Sequence, residues 1–356
     1  MKRTTLAIAL AGMAGYASAQ SGVTLYGVAD VMMSSGSGSL SNMTTMGSGG
    51  NMTSRYGFRG VEDIGGGLRV GFNLEAQVFM DSGTGQPSNT NNQPSGAGAT
   101  TATAFSFARR STVSVMDAWG EVRMGRDFTA HYRNRVEVDP FGNAGVGAAQ
   151  PFAGSIGGVV STRASKMIGY FLPSSATGLY GQVQYYSGGN PDGTETSKDG
   201  NGLTARVGYV MGGLNLSLAS GRTTYATTAT AGDIASTNLG VQYQLGNHKI
   251  MAGLYRDSLN KAVQMKADGW LLGGIFNVGP GDLKVALSEY GTDAAGSPNV
   301  KKLAIGYVHN LSKRTALYGT WARVSNSGGA STALNGAKTA ANTSSSGFDI
   351  GVRHQF

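Results

Sequence analysis

From Val23 to Phe356 the chain alternates apolar and polar positions with a period of two, segment after segment. Leu68, Val70, Phe72, Leu74, Ala76 and Val78 share one parity; Arg69, Gly71, Asn73, Glu75 and Gln77 share the other. Leu303, Ile305 and Tyr307 alternate with Ala304, Gly306 and Val308, and Phe348, Ile350 and Val352 with Asp349, Gly351 and Arg353. Side chains of a strand point to opposite faces in turn, so each segment predicts a strand with one greasy and one wet face. A soluble sandwich gives the same alternation. The connections between the strands decide between the two.

Seven tight turns are expected, at Asp63–Gly66, Met116–Ala118, Ser174–Thr177, Met211–Gly213, Gly246–Asn247, Gly279–Asp282 and Leu311–Lys313. Eight long polar segments alternate with them, near 35–51, 81–103, 127–161, 187–201, 221–235, 257–267, 291–300 and 325–345. Seven short and eight long connections require sixteen strands, with both termini on the short-turn rim. Short turns on one rim and long loops on the other are the layout of an antiparallel transmembrane β-barrel. At about 9–11 residues per spanning strand, sixteen strands need roughly 150–180 residues. The rest of the chain then supplies loops. A closed barrel satisfies every backbone hydrogen bond, which lipid cannot do, and sixteen strands leave an aqueous lumen.

Composition agrees. Glycine is 57 of 356 residues, against a usual share of ~7%, which suits turns and a curved wall. Charged residues are 13%, about half the usual share, and no run of about 18 apolar residues could form a spanning helix. Cysteine is absent, which excludes disulfides, thiolate metal sites and a Cys nucleophile. The four histidines, His131, His248, His309 and His354, have no metal-ligand spacing. No cofactor, metal or catalytic set is implied. The net charge is +8, yet without blocks of like charge, so nucleic acid is not the expected partner.

Residues 1–19 read as an export leader: Lys2 and Arg3, an apolar stretch from Leu6 to Tyr16, and the cleavage pattern Ala17-Ser18-Ala19. One barrel domain, 20–356, would remain. Loss of Lys2 and Arg3 takes the net charge from +8 to +6.

At the level of motifs the chain resembles Gram-negative general porins, in the branch of β-proteobacteria and Neisseria. The segment from Ser54 to Asp63, with IGGGLRVGFNLE after it, is similar to that family's second hairpin. VTLYGVAD from Val23 resembles the first strand, Gly306 to Thr315 the penultimate turn, and Phe356 the last residue. Gly125-Arg126-Asp127 and Asp139-Pro140-Phe141-Gly142 resemble the third-loop region. The resemblance covers all of 20–356. It implies a homotrimer of sixteen-stranded barrels in the bacterial outer membrane, among lipid and lipopolysaccharide. It also implies a third loop folded into each lumen, passive diffusion of ions and small hydrophilic solutes, and a terminal Phe356 read by the barrel assembly machinery.

Parity then selects the lumen charges. With Tyr56 and Phe58 outward, Arg55 and Arg59 face inward; Arg110 is inward and Arg109 falls on the lipid parity. The same count turns Arg123 and Arg163 inward. The resemblance carries a basic wall cluster onto Arg55, Arg110 and Arg163, opposite a loop bearing Asp127, Glu137 and Asp139. Arg59 and Arg123 are expected to serve local carboxylates, and Arg133 and Arg135 to offset the loop's acidity. Opposed charges across a narrow opening set a transverse field. The three wall arginines and the positive charge point to anion preference. Tyr170, Phe171, Tyr180, Tyr307, Trp321 and Phe356, near strand ends, fit either interfacial girdles or ordinary packing at a trimer contact or beneath loops, and the sequence does not separate the two. Two other functions fit this sequence: a substrate-specific anion channel, and a surface adhesin or phage receptor built on the barrel. An enzyme is not expected.

Overall fold

A computed structural model of the protein describes residues 22–96, 106–153, 156, 158–173 and 178–356. The expected leader and the turn at 174–177 lie outside the described residues.

The alternation closes into one antiparallel barrel. β1 (Thr24–Ser37) pairs with β17 (Ser345–Gln355) from Val28↔Gln355 to Ser37↔Ser346, so the sheet has no free edge. Between them run β2 (Met43–Ser48), β3 (Arg55–Gly65), β4 (Leu68–Gln77), β5 (Arg110–Asp117), β6 (Gly120–Phe128), β7 (Arg163–Phe171), β8 (Leu179–Tyr186) and β9 (Gly202–Met211). Then follow β10 (Leu214–Thr223), β11 (Asp233–Leu245), β12 (His248–Asn260), β13 (Met265–Val278), β14 (Gly281–Thr292), β15 (Asn299–Asn310) and β16 (Thr315–Ser327). From β3 onward each strand pairs with its successor. The seventeen segments form a sixteen-stranded barrel, because β2 and β3 are two halves of its second strand. β2 pairs with Val31–Gly36 of β1, and β3 with Thr24–Val28. The polar run 35–51, which reads as a plain loop in the sequence, thus contains a strand half.

Each stave has one greasy and one wet face. In β9 Leu203, Val207 and Tyr209 are exposed on the outside, while Thr204 and Arg206 are buried inside. Lipid is the natural solvent for such an outer face. Among the described residues no helix is long and apolar enough to cross a membrane. At the seam Gly27 and Phe356 exchange backbone hydrogen bonds of 2.9 and 3.1 Å.

The third loop, 129–162, turns inward and carries α1 (Ala130–Val138) and the single turn α2 (Gln150–Ala153). α1 lies against β9–β12 and α2 against β13–β15. The main apolar core is therefore where loop meets wall, with Val138, Phe141, Val146 and Ala149 packed on Tyr255, Leu271, Ala286, Val300 and Ala304. The loop covers the β9–β15 side of the lumen and leaves the β3–β6 side open.

Candidate functional site

The gap between the third loop and the β3–β6 wall is a passage of about 580 Å³. On the wall side Arg55 and Arg109 share one carboxylate. Arg109 Nε donates to Glu75 Oε1 at 2.6 Å, and Arg55 Nε stands 3.4 Å from Glu75 Oε2. On the loop side stand Tyr132, Arg133, Val136 and Glu137, then Asp139–Gly142. Lys249 of β12 and Lys284 of β14 complete the lining.

The third loop is held by buried polar contacts. The Arg135 guanidinium is an ion-pair partner of Asp257 on β12 and donates to Ser236 Oγ at 2.8 Å. Asp257 also accepts from Tyr290 Oη at 2.7 Å. Asn134 donates to Asn238 at 2.8 Å. The Val146 amide donates to Asp349 Oδ2 at 2.7 Å, and Lys302 Nζ reaches the Ala148 carbonyl at 2.7 Å. His131 is fully buried between Thr129 and Thr204. Burial, with the nearby Arg135 charge, pushes its imidazole down to about 3, so it is neutral at physiological pH.

The two acids of the loop are both engaged. Glu137 is held by the Arg206 guanidinium. Asp139 is buried and accepts the amides of Phe141 (3.0 Å), Asn143 (2.8 Å) and Ala149 (3.3 Å). Burial raises its carboxyl above the usual range. Among the described residues, Arg133, Lys249 and Lys284 have no carboxylate within ion-pair distance. The passage is therefore lined by five cations and by two acids already bound elsewhere.

Several expected placements change. Arg109 reaches Glu75 and Gln77 inside the lumen rather than lipid. It precedes β5, where strand parity no longer governs direction. Arg110 is inward but points toward the short-turn side, 3.6 Å from Asp127. Asp127 is not a loop acid: it lies in β6, and Arg123 Nη1 donates to it at 2.5 Å. It stands beside the arginines and not across from them. Arg123 also pairs with Glu121 at 2.8 Å. The Arg163 guanidinium lies 4.3 Å from the ring centroid of Phe128, which lines the passage where Arg163 itself does not. Arg59 lies over Tyr26 and lines a lower cavity with Arg110 and Arg123. Phe171 and Tyr180 do not join an outer girdle. Phe171 lies under Arg123 at 4.0 Å, and Tyr180 is hydrogen-bonded by Arg206 at 3.0 Å. Arg109, Lys249 and Lys284 are missing from the sequence-based set. Inward parity on β12 and β14 is the available signal for the two lysines.

Among the described residues no group of three His, Asp or Glu side chains is placed to hold a metal. A closed barrel with an apolar exterior and a wet lumen narrowed by an inward loop defines a transmembrane channel of outer-membrane type. The chain belongs to the Gram-negative porin family, whose model matches residues 4–329. It is 32% identical to outer membrane porin protein 32 of Delftia acidovorans, over 100% of both chains. It superposes on the anion-selective porin of Comamonas acidovorans with a TM-score of 0.82 at 30% identity, covering 95% of this chain and 100% of that one. OmpT of Vibrio cholerae gives a TM-score of 0.66 at 13% identity, which speaks to the fold alone. The protein is thus a porin of the outer membrane.

Proposed function

We propose that this porin is a passive, water-filled diffusion channel that favours small anions. The observation that carries this reading is the charge balance of the constriction. Arg55, Arg109, Arg133, Lys249 and Lys284 line it; Arg55 and Arg109 share Glu75, and among the described residues the other three have no carboxylate within ion-pair distance, while Glu137 and Asp139 are bound to Arg206 and to loop amides. A ring of one sign raises the local concentration of counter-ions and repels co-ions. The anion selectivity of its Comamonas counterpart supports the same sign. Below the constriction Arg110 and Arg123 are paired with Glu121 and Asp127, and Arg59 lines the same cavity. No chemical step and no cofactor is assigned.

Residues 1–19 are proposed to be the export leader of a single barrel domain, 20–356. Phe356, fixed at the seam, is proposed as the feature read by the assembly machinery. The unit in the membrane is proposed to be a homotrimer in contact with lipid and lipopolysaccharide. The test is single-channel recording of the purified protein in a planar bilayer under a potassium chloride gradient. Large, non-saturating steps and a reversal potential of anion sign are expected. A cation sign would overturn the charge argument, and saturable block by one solute would make this a substrate-specific channel.

A further inference from the structure

Halfway along the second stave the wall is interrupted, and residues 49–54 leave it between β2 and β3. The excursion is built around one side chain. Asp30 of β1, fully buried, accepts the amides of Gly50 (3.2 Å), Asn51 (3.0 Å) and Met52 (2.7 Å) and the hydroxyl of Tyr318 (2.5 Å). Ser54 Oγ donates to the Asp30 carbonyl at 2.8 Å, and the Gly49 amide does so at 3.0 Å. A carboxylate that collects consecutive amides fixes a short backbone segment as a rigid turn.

The segment's other side faces the passage, which Asn51, Met52 and Thr53 line together with Arg55. Arg55 Nη1 donates to the Thr53 carbonyl at 3.1 Å, and Arg353 Nη1 to Asn51 Oδ1 at 2.8 Å. The third loop docks on it as well. At Gly145, with φ of +58°, an added Cβ would stand 2.1 Å from the Gly50 carbonyl oxygen and 2.9 Å from Asp349 Oδ2. Only a residue without a Cβ allows this approach. The neighbouring Val146 amide is the one bound by Asp349.

We propose that residues 49–54 are a second constriction element, a ledge that aims Arg55, seats the tip of the third loop and sets the width of the passage jointly with that loop. This deepens the anion-channel reading, because the ledge holds one of the five cations in place. Asp30 and Gly145 are then positioning residues for the pore, although neither lines the opening at its charged face.

The chain has no cysteine, so a single introduced thiol is a specific probe. Met52→Cys would be recorded before and after a small anionic methanethiosulfonate, with Thr237→Cys on the outer wall as control. The expected result is a stepwise loss of conductance and a reversal potential moved toward zero for Met52→Cys, and no change for the control. An unreactive thiol, or modification that leaves conductance unaltered, would overturn the ledge. Gly145→Ala, expected to push the loop tip off Gly50, should raise conductance; unchanged conductance would count against the docking. The loss of conductance is read independently of the sign of the wild-type reversal potential. Failure of the anion reading and failure of the ledge are therefore separate outcomes.

Discussion

Glu137 of the third loop lies in the fork of Arg206 on β9, with Nη1 donating to Oε1 at 2.8 Å and Nη2 to the other carboxylate oxygen. The same guanidinium donates through Nε to Asn134 at 2.9 Å. One wall arginine thus holds α1 by its side and cancels the loop's most accessible acid. Arg206→Gln should release Glu137 into the passage with its charge uncompensated. The reversal potential in a salt gradient should move toward cations, and Arg206→Gln combined with Glu137→Gln should restore it. An unchanged reversal potential in the single variant would show that Glu137 is not in the field of the permeating ion.

The Arg135–Asp257 pair is the deepest tie between loop and wall, with both side chains at 5% exposure or less. Removing one member of a buried ion pair costs about 3–5 kcal/mol, chiefly because the remaining charge loses its compensation. Here the cost falls on loop docking, since the barrel ladders do not involve these side chains. Asp257→Ala should therefore leave the folded barrel intact on a gel while raising open-channel noise and conductance. Quiet, wild-type channels from this variant would mean that the apolar contacts of Val138, Phe141 and Val146 suffice to hold the loop.

His131 adds a pH dependence whose sign can be worked out. Its imidazole falls from 6.5 to about 3 on burial in the docked loop. Above pH 6.5 docked and undocked states are both neutral there, and docking is at full strength. Between 6.5 and 3 the undocked state binds the proton and the docked state does not, so docking weakens as pH falls. Acidification from about pH 7 to about pH 5 should increase current noise in the native channel. His131→Gln, which keeps a neutral polar group beside Thr204, should flatten that response. Equal pH responses in both proteins would assign the effect to other groups.

The seam makes a prediction about assembly. A Cβ at Gly27 would stand 2.3 Å from Cζ of Phe356. Gly27→Val should therefore displace the terminal ring and lower the yield of heat-modifiable, folded barrel, while Gly22→Val, with nothing within 4 Å, should not. Normal folding of Gly27→Val would show that the ring can leave the seam without cost.

The barrel is legible because its signals are local. Alternation with period two and turn residues at strand ends follow from backbone geometry, and the observed turns at Gly66, Gly212, Gly246 and Gly279 all have positive φ. The alternation of short and long connections then yields the strand number. The constriction is less legible, because its members meet only in three dimensions. Arg109 lies one residue outside β5, where parity fails. Asp127 reads as a loop acid in the sequence and belongs to the wall. The ledge consists of glycine, asparagine, methionine, threonine and serine, with no pattern to separate it from an ordinary loop. Its cause is a single carboxylate, Asp30, well before it in the chain.

The correction at Arg163 is itself testable. Sequence parity places Arg55, Arg110 and Arg163 at the opening, and on that basis Arg163→Glu should shift permeability toward cations. In the structure Arg163 is packed against Phe128, while Arg109 occupies the opening beside Arg55. Reversing one charge about 5 Å from an ion in a water-like medium is worth about 1.7 kcal/mol. Salt screening reduces that to a shift of a few-fold in the permeability ratio. Arg109 is itself buried against Glu75, so its neutral variant Arg109→Met, which removes one charge instead of reversing it, should show about half of this shift. Arg163→Glu should instead place a buried carboxylate near Glu75 and compromise folding, so Arg163→Met is the informative variant, and it should leave selectivity unchanged. Measuring the reversal potentials of wild type, Arg109→Met and Arg163→Met decides which arginine the ion meets: a shift in Arg163→Met as large as that in Arg109→Met would return Arg163 to the opening.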